Sequence, residues 1–156
     1  MKLPEQIETG RLVLRAPRMD DAPVIFAGWT RDKEMTRYLT WRLHQRVQET
    51  EAFIQNCLSA WEAEIRFPYI ITLKESGEVI GMIDPRIEGP KVGIGYGVAH
   101  AHWGKGYVTE ATRAIIDWAF QQPSILRVYA ATDKVTPTQP PRRRQGWRGW
   151  LLTIHN

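Results

Sequence analysis

The sequence predicts a mixed α/β domain, and three observations predict it. Apolar residues recur at helical spacing over residues 48–65. Three β-rich runs then follow one another with only short turn sequences between them, which indicates a meander of strands. A second amphipathic helix and a further strand come after this meander. Elements in this order fit a sandwich of a mixed sheet and helices.

Each element has its own local signal. Residues 12–16 form a short, mostly apolar run that stops at Pro17, as expected of a first strand. Asp20 or Asp21 is placed to cap a helix, and Asp32 precedes a short helical turn. The remaining predicted elements are a helix over 48–65, strands over 69–73, 79–87 and 91–98, a helix over 107–121 and a strand over 127–131.

Length and composition set the broad class. At 156 residues the chain is expected to form one domain, and 43% hydrophobic residues suffice for a core. No apolar run approaches the roughly 20 residues that a membrane helix needs, and the N-terminus lacks the apolar segment of a signal peptide. Because Cys57 is the single cysteine, an intramolecular disulfide is excluded, and its place in a helical pattern predicts a buried thiol. We therefore expect a cytoplasmic protein without a membrane partner.

The net positive charge of the chain comes from its end. Residues 134–156 carry five Lys or Arg and no acid, whereas residues 1–133 hold all 17 Asp and Glu. A basic run is one signature of nucleic-acid binding. Three prolines and the lack of any periodicity favour the simpler interpretation, an extended or poorly folded end.

The most informative segment is residues 103–111, which read Trp-Gly-Lys-Gly-Tyr-Val-Thr-Glu-Ala. They join a β-rich run to a helix, and Gly104 and Gly106 let the backbone approach a ligand closely. The N-terminus of a helix offers unpaired N–H groups and positive dipole charge. The segment therefore predicts an anion site, most often one for phosphate.

Two common nucleotide motifs match this segment poorly. A P-loop requires Gly-x-x-x-x-Gly-Lys-Ser/Thr, and only Gly-Lys-Gly is present. A dinucleotide fingerprint requires a third glycine where Thr109 stands, at the start of a βαβ unit. The preceding strands instead look like antiparallel hairpins.

The segment resembles the pyrophosphate loop of the GNAT superfamily of acyl-CoA-dependent N-acyltransferases. The family pattern Gln/Arg-x-x-Gly-x-Gly/Ala is matched at Gly104 and Gly106 and departs at Ala101. The strings at 8–15, 20–22, 37–39, 77–81, 94–98, 103–107 and 109–111 are similar, in order, to the branch that contains the ribosomal-protein-alanine acetyltransferases. This ordered set covers residues 8–133 and is far more specific than a lone Gly-x-Gly.

The resemblance implies a mostly antiparallel central sheet flanked by helices, with acetyl-CoA as cosubstrate. The pyrophosphate would lie on the backbone amides of the loop. Pantetheine and the thioester oxygen would meet exposed N–H groups where two neighbouring strands separate. The implied cosubstrate-binding positions are Gly97, Val98, Ala99, Gly104, Lys105, Gly106, Tyr107 and Val108, with Val98 also polarising the carbonyl.

Transfer to an amine also calls for a base, since a protein α-amine has a pKa of about 8. The candidates are Asp84, which interrupts an apolar string and is expected to face the cleft, and Tyr96. Glu88, Glu62 and Glu64 are further candidates, and each of these acids, Asp84 included, is individually more typical of a solvated surface group. Glu110 is expected to bond backbone near the helix start. No His, Cys or carboxylate spacing supports a metal site.

After residue 133 the sequence departs from the family, which continues with an Asn-Pro-x-Ser turn, a helix and two closing strands. Thr136 and Gln139 stand at the Asn and Ser positions. We expect an acyltransferase domain over 1–133 and a divergent or truncated basic end over 134–156, either part of the same domain or disordered. Its incomplete closing elements, with only residues 151–155 similar to a strand, would expose a sheet edge and leave homodimerisation open.

Three functions are compatible with these features. The first is an N-acetyltransferase that moves acetyl from acetyl-CoA to a protein N-terminus or a small amine by direct attack in a ternary complex. The second is a domain that binds acetyl-CoA but turns over poorly because of its altered end. The third, which the residues favour least, is a nucleic-acid-binding protein that uses the basic end.

Overall fold

The computed structural model describes residues 2–28, 44–131 and 151–155. Within these residues, no helix is long and apolar enough to cross a membrane. The helical turn predicted after Asp32 lies outside the described residues.

The described strands form one seven-stranded sheet in which each strand neighbours the next in the chain. All neighbours are antiparallel except β5 and β6, which are parallel and joined by a helical crossover. The strands are β1 Gln6–Glu8, β2 Leu12–Arg15, β3 Tyr69–Leu73, β4 Val79–Glu88, β5 Lys91–Val98, β6 Arg127–Ala131 and β7 Leu151–His155. The predicted mixed, mostly antiparallel sheet flanked by helices is confirmed.

Three α-helices accompany the sheet in the described part: α1 Ala22–Gly28, α2 Val47–Ala63 and α3 Tyr107–Phe120. Asp21 precedes α1 and accepts hydrogen bonds from the Arg18 N–H at 2.7 Å and from both terminal nitrogens of Arg15. Asp21, rather than Asp20, therefore caps the 3-10 turn Met19–Asp21 that leads into α1.

The two faces of the sheet carry different helices. On one face, Val92, Ile94, Tyr96 and Val98 of β5 share a core cluster with the α3 residues Val108, Ala111, Ile115 and Ala119. On the other face, Met82 of β4 clusters with residues of α1 and α2. Because Met82 pairs with Gly97, the alternate residues Gly93, Gly95 and Gly97 of β5 lie on the α1/α2 face.

The long helix ends earlier than its apolar spacing predicts. Glu64 follows α2 with φ 57°, a left-handed conformation that stops the helix. Ile65 is 63% exposed and its carbonyl accepts the N–H of Ile87, so the chain there already runs beside β4. The expected helical position of Ile65 is therefore wrong.

The two edge strands of the sheet, β1 and β7, differ in how far the sequence predicts them. β1 spans only three residues, too few for any periodicity to be recognised. β7 pairs with β6 from Ala131↔Leu151 to Arg127↔His155, so the similarity of residues 151–155 to a strand is confirmed. One closing strand is thus present, and residues 132–150 lie outside the described part.

Candidate functional site

The glycine loop has a backbone shape that only glycine adopts easily. Gly104 and Gly106 both have φ +78°, and Gly106 is the residue that precedes the first turn of α3. The first bond back into the helix runs from the Glu110 N–H to the Gly106 carbonyl at 3.0 Å. The N–H groups before it therefore have no intrahelical acceptor, and residues 104–106 are exposed.

The loop is fastened to the turn between β1 and β2. The Glu110 carboxylate accepts the Thr9 hydroxyl, the Arg11 N–H at 2.9 Å and the Arg11 Nε at 2.7 Å. Partial burial of Glu110 opposes ionisation, but these hydrogen bonds outweigh it and lower the pKa of the carboxyl group. Glu110 therefore bonds a backbone N–H, as expected, but this N–H belongs to the distant turn between β1 and β2 and not to the start of α3.

Strand β5 extends beyond its parallel neighbour. The β5–β6 ladder ends at the pair Ile94↔Ala130 among the described residues, while β5 continues to Val98. The Ala99 N–H donates to the Ile80 carbonyl of β4 at 2.8 Å. Because bonding alternates along an antiparallel pair, Gly97 also bonds towards β4, whereas the N–H of Val98 is directed away from β4 and towards the β6 side.

The three implied N–H donors at this strand end therefore differ. Those of Gly97 and Ala99 are used in pairing with β4, and only that of Val98 faces the separated side. Trp103 links this strand end to the loop, because its indole Nε1 donates to the Val98 carbonyl at 2.6 Å. The sequence offered no signal for this role of Trp103.

Asp84 lies on β4, opposite Gly95 and thus on the α1/α2 face. Its Oδ2 accepts Arg66 Nε at 2.7 Å, whereas its buried Oδ1 has no partner among the described residues. Burial raises the pKa of Asp84, and the nearby guanidinium groups of Arg66 and Arg86 only partly offset this. A carboxylate with one oxygen anchored and the other unbonded is well prepared to accept a proton.

Tyr96 is not beside Asp84. It pairs with Ile83 and is 8% exposed within the core on the α3 face, so the two candidate bases lie on opposite faces of the sheet. Glu88 is engaged elsewhere, since both its carboxylate oxygens lie within 2.9 Å of the Tyr129 hydroxyl.

The loop can hold a phosphate, and the end of β5 presents a backbone donor beside it; the Asp84 carboxylate lies opposite Gly95, three residues before Val98 along β5. Lys105 is exposed beside the two glycines, and Tyr107 and Val108 supply N–H groups from the first turn of α3. Across the ranges that the structure covers, no group of three His, Cys, Asp or Glu side chains is arranged to hold a metal ion. Sequence reasoning missed Arg66, Trp103 and the contacts of Arg11, because their partners are distant in the chain or on the backbone.

Known proteins are similar to this chain along most of its length. A family model described as an acetyltransferase (GNAT) domain matches residues 11–135. An uncharacterised N-acetyltransferase, p20 of Bacillus licheniformis, is 36% identical over 144 residues, which are 88% of this chain and 76% of that protein.

Solved structures share the fold. The microcin C7 self-immunity acetyltransferase MccE, in complex with acetyl-CoA and AMP, has a TM-score of 0.79 at 14% identity and covers 99% of this chain and 98% of its own. RimL, a ribosomal L7/L12 α-N-protein acetyltransferase, has a TM-score of 0.75 at 20% identity and covers 89% of this chain and 78% of its own. The matched domain model and the closely related sequence together show that the chain belongs to the GNAT acetyltransferase family.

Proposed function

We propose that this protein is an acetyl-CoA-dependent N-acetyltransferase that transfers acetyl to a primary amine by direct attack in a ternary complex. The amine is either a protein N-terminus or a small amine. Membership of the family supports acetyl transfer. Acetyl-CoA is supported by the fold shared with MccE, whose structure contains it.

One observation carries the proposal. The positive-φ glycine loop and the outward N–H of Val98 lie at the same end of β5 and are tied together by the Trp103–Val98 hydrogen bond. A pyrophosphate on the loop and a thioester beside Val98 would thus be parts of one molecule.

The loop residues hold the cosubstrate in this account. The backbone N–H groups of residues 104–108 would face the pyrophosphate, helped by the positive end of the α3 dipole. Acetyl-CoA, when bound, supplies the acetyl group as a thioester. The fit is supported by the exposure of residues 104–106, where the backbone can be approached directly.

In this proposal, Val98 and Asp84 take part in the acetyl transfer itself. The Val98 N–H would donate to the thioester oxygen as negative charge develops there, an interaction worth about 3 kcal/mol in enzymes. The buried Oδ1 of Asp84, which has no partner among the described residues, would accept the proton that the amine must lose before it attacks. Arg66 holds the other oxygen, which fixes the direction of the carboxylate.

Two acceptor classes fit this chemistry. RimL acts on a protein N-terminus, and its shared fold supports that class. An α-amine, with a pKa of about 8, is also easier to deprotonate than a lysine amine, with a pKa of about 10.4. We therefore propose an N-terminal α-amine of a protein or peptide as the first acceptor to examine.

The test is turnover with a panel of acceptors. Release of free CoA thiol would be followed with acetyl-CoA and either peptides of varied N-terminal residue, their N-acetylated counterparts, or small amines. The expected result is thiol release that requires a free amine and yields the N-acetyl product by mass spectrometry. If the protein binds acetyl-CoA but releases no thiol with any amine, the alternative applies, namely a domain that binds acetyl-CoA and turns over poorly.

A further inference from the structure

Arg11 concentrates its contacts on the glycine loop although it lies 94 residues away from Lys105 in the chain. Its Nη1 donates to the Lys105 carbonyl at 2.9 Å, and its Nε donates to Glu110 at 2.7 Å. Its guanidinium carbon lies 4.5 Å from the ring centroid of Tyr107. The side chain therefore contacts the middle of the loop and the first turn of the helix that follows it.

The bond to Lys105 sets the direction of a specific N–H group. A trans peptide is planar, so its carbonyl and its N–H point in opposite directions. Because Arg11 holds the Lys105 carbonyl towards the β1–β2 turn, the N–H of Gly106 in the same peptide is directed to the opposite side. Without this bond, a rotated peptide would turn a carbonyl oxygen towards any anion on that side.

Arg11 is itself held in place. Glu110 binds it through both its Nε and its backbone N–H, and also accepts the Thr9 hydroxyl from the same turn. Charge-assisted bonds of this kind are stronger than neutral ones, and the planar guanidinium spreads them over two partners in fixed directions. A lysine could not make the pair of bonds to Glu110 and Lys105 with the same geometry.

We propose that Arg11 is a positioning residue that orients the Gly106 peptide for binding the phosphates of the cosubstrate. The inference rests on the proposed function for the identity of the anion. The orientation of the loop itself is a property of the free protein and can be measured without any cosubstrate.

The variants are Arg11→Met and Arg11→Lys, with Arg15→Met as the matched control. Arg15 also pairs with a carboxylate through two nitrogens, at 2.7 Å and 2.9 Å from Asp21, but contacts no part of the loop. Each protein would be titrated with acetyl-CoA by calorimetry, and KM would be determined separately for acetyl-CoA and for the amine. Exchange of the Glu110 amide, which donates to the Gly106 carbonyl at 3.0 Å, would be followed in the free proteins, together with Tm.

We expect Arg11→Met to weaken acetyl-CoA binding about tenfold or more, the equivalent of one charged hydrogen bond. The KM for acetyl-CoA should rise while that for the amine stays unchanged, and Arg11→Lys should not restore binding. Arg15→Met should lower Tm without changing the affinity. Unchanged affinity in Arg11→Met, equal weakening in Arg15→Met, or full rescue by lysine would overturn the proposal.

The free protein separates this inference from the proposed function. Arg11→Met should accelerate exchange at the Glu110 amide, which donates to the Gly106 carbonyl, and Arg15→Met should not. If the wild-type protein binds no acetyl-CoA, the proposed function fails, and the exchange result still decides whether Arg11 orients the loop. Unaltered exchange in Arg11→Met would contradict the inference whatever the cosubstrate proves to be.

Discussion

The indole Nε1 of Trp103 donates a 2.6 Å hydrogen bond to the carbonyl of Val98, and this bond joins the candidate phosphate loop to the end of β5. The carbonyl and the N–H of Val98 both lie on the side of β5 that faces away from β4. Trp103 occupies the carbonyl, so the N–H is the group that this residue can present to a ligand.

Trp103→Phe removes the bond and keeps an aromatic ring of similar position. A neutral hydrogen bond contributes about 1 kcal/mol, so kcat/KM should fall roughly fivefold, with the KM for acetyl-CoA affected more than that for the amine. Steady-state kinetics would measure this. Trp118→Phe, in a half-buried position of α3, serves as the control. Equal effects of the two substitutions would argue against a link between loop and strand.

The conformation of Gly106 gives a second prediction. Alanine at φ +78° is strained, at a cost of about 1–2 kcal/mol, so Gly106→Ala should shift the loop backbone and weaken acetyl-CoA binding at least tenfold in calorimetry. Gly77 has φ +76° and open space around it, which makes Gly77→Ala a control with similar strain in a turn between β3 and β4. The control should lose stability and keep its affinity. Equal affinity in wild type and Gly106→Ala would remove the loop from the binding site.

Asp84 gives a third prediction. Asp84→Asn removes the proposed base and should lower kcat by about 10²–10⁴-fold while leaving acetyl-CoA affinity unchanged. Asp117→Asn, on the exposed side of α3, should have no effect. Tyr96→Phe should also retain activity, because Tyr96 lies on the opposite face of the sheet. A larger loss in Tyr96→Phe than in Asp84→Asn would reverse this assignment.

The pH dependence follows from the direction of the Asp84 shift. Burial raises its pKa above the ordinary value of 3.8, and the base acts only when deprotonated. The rate should therefore fall as the pH is lowered through the raised pKa. The same shift means that the charged form is disfavoured in the folded state, so the contribution of Asp84 to stability is lost as the pH rises through that pKa. Kinetic profiles and Tm measured across the acidic range would check both signs.

Cys57 gives a fourth prediction. Burial raises the pKa of its thiol to about 12, so almost no thiolate exists near neutral pH. The folded protein should not react with Ellman's reagent, and one equivalent should react after denaturation. Rapid modification of the native protein would contradict the buried position of Cys57 against α1 and the sheet.

Much of this fold can be read from local patterns. Signals within a few residues mark the apolar run of β2, the turn at Gly89–Pro90 and the glycine loop before α3. The end of α2 has no such local signal. Ile65 continues the apolar spacing of the helix, but its carbonyl accepts a hydrogen bond from the N–H of Ile87 in β4. Tertiary pairing decides that boundary, and no local propensity reveals it.

The sequence predicts the glycine loop of the candidate site, but it predicts the residues around that loop less well. The hairpin pairs Glu88 with Lys91, and counting back from that pair puts Asp84 opposite Gly95 and on the other face from Tyr96. The sequence contains this information once the turn register is known. The bonds from Arg11 to Glu110 and Lys105 span about 95 residues, and a single sequence has no means of signalling them.

The measurement that tests the central claim most directly is a calorimetric titration of the purified protein with acetyl-CoA, with circular dichroism to establish that the protein is folded. The account predicts saturable binding in the micromolar range, weakened in Gly106→Ala and unaffected in Gly77→Ala. A folded protein that shows no binding would contradict it, because the loop and the end of β5 would then not form an acetyl-CoA site.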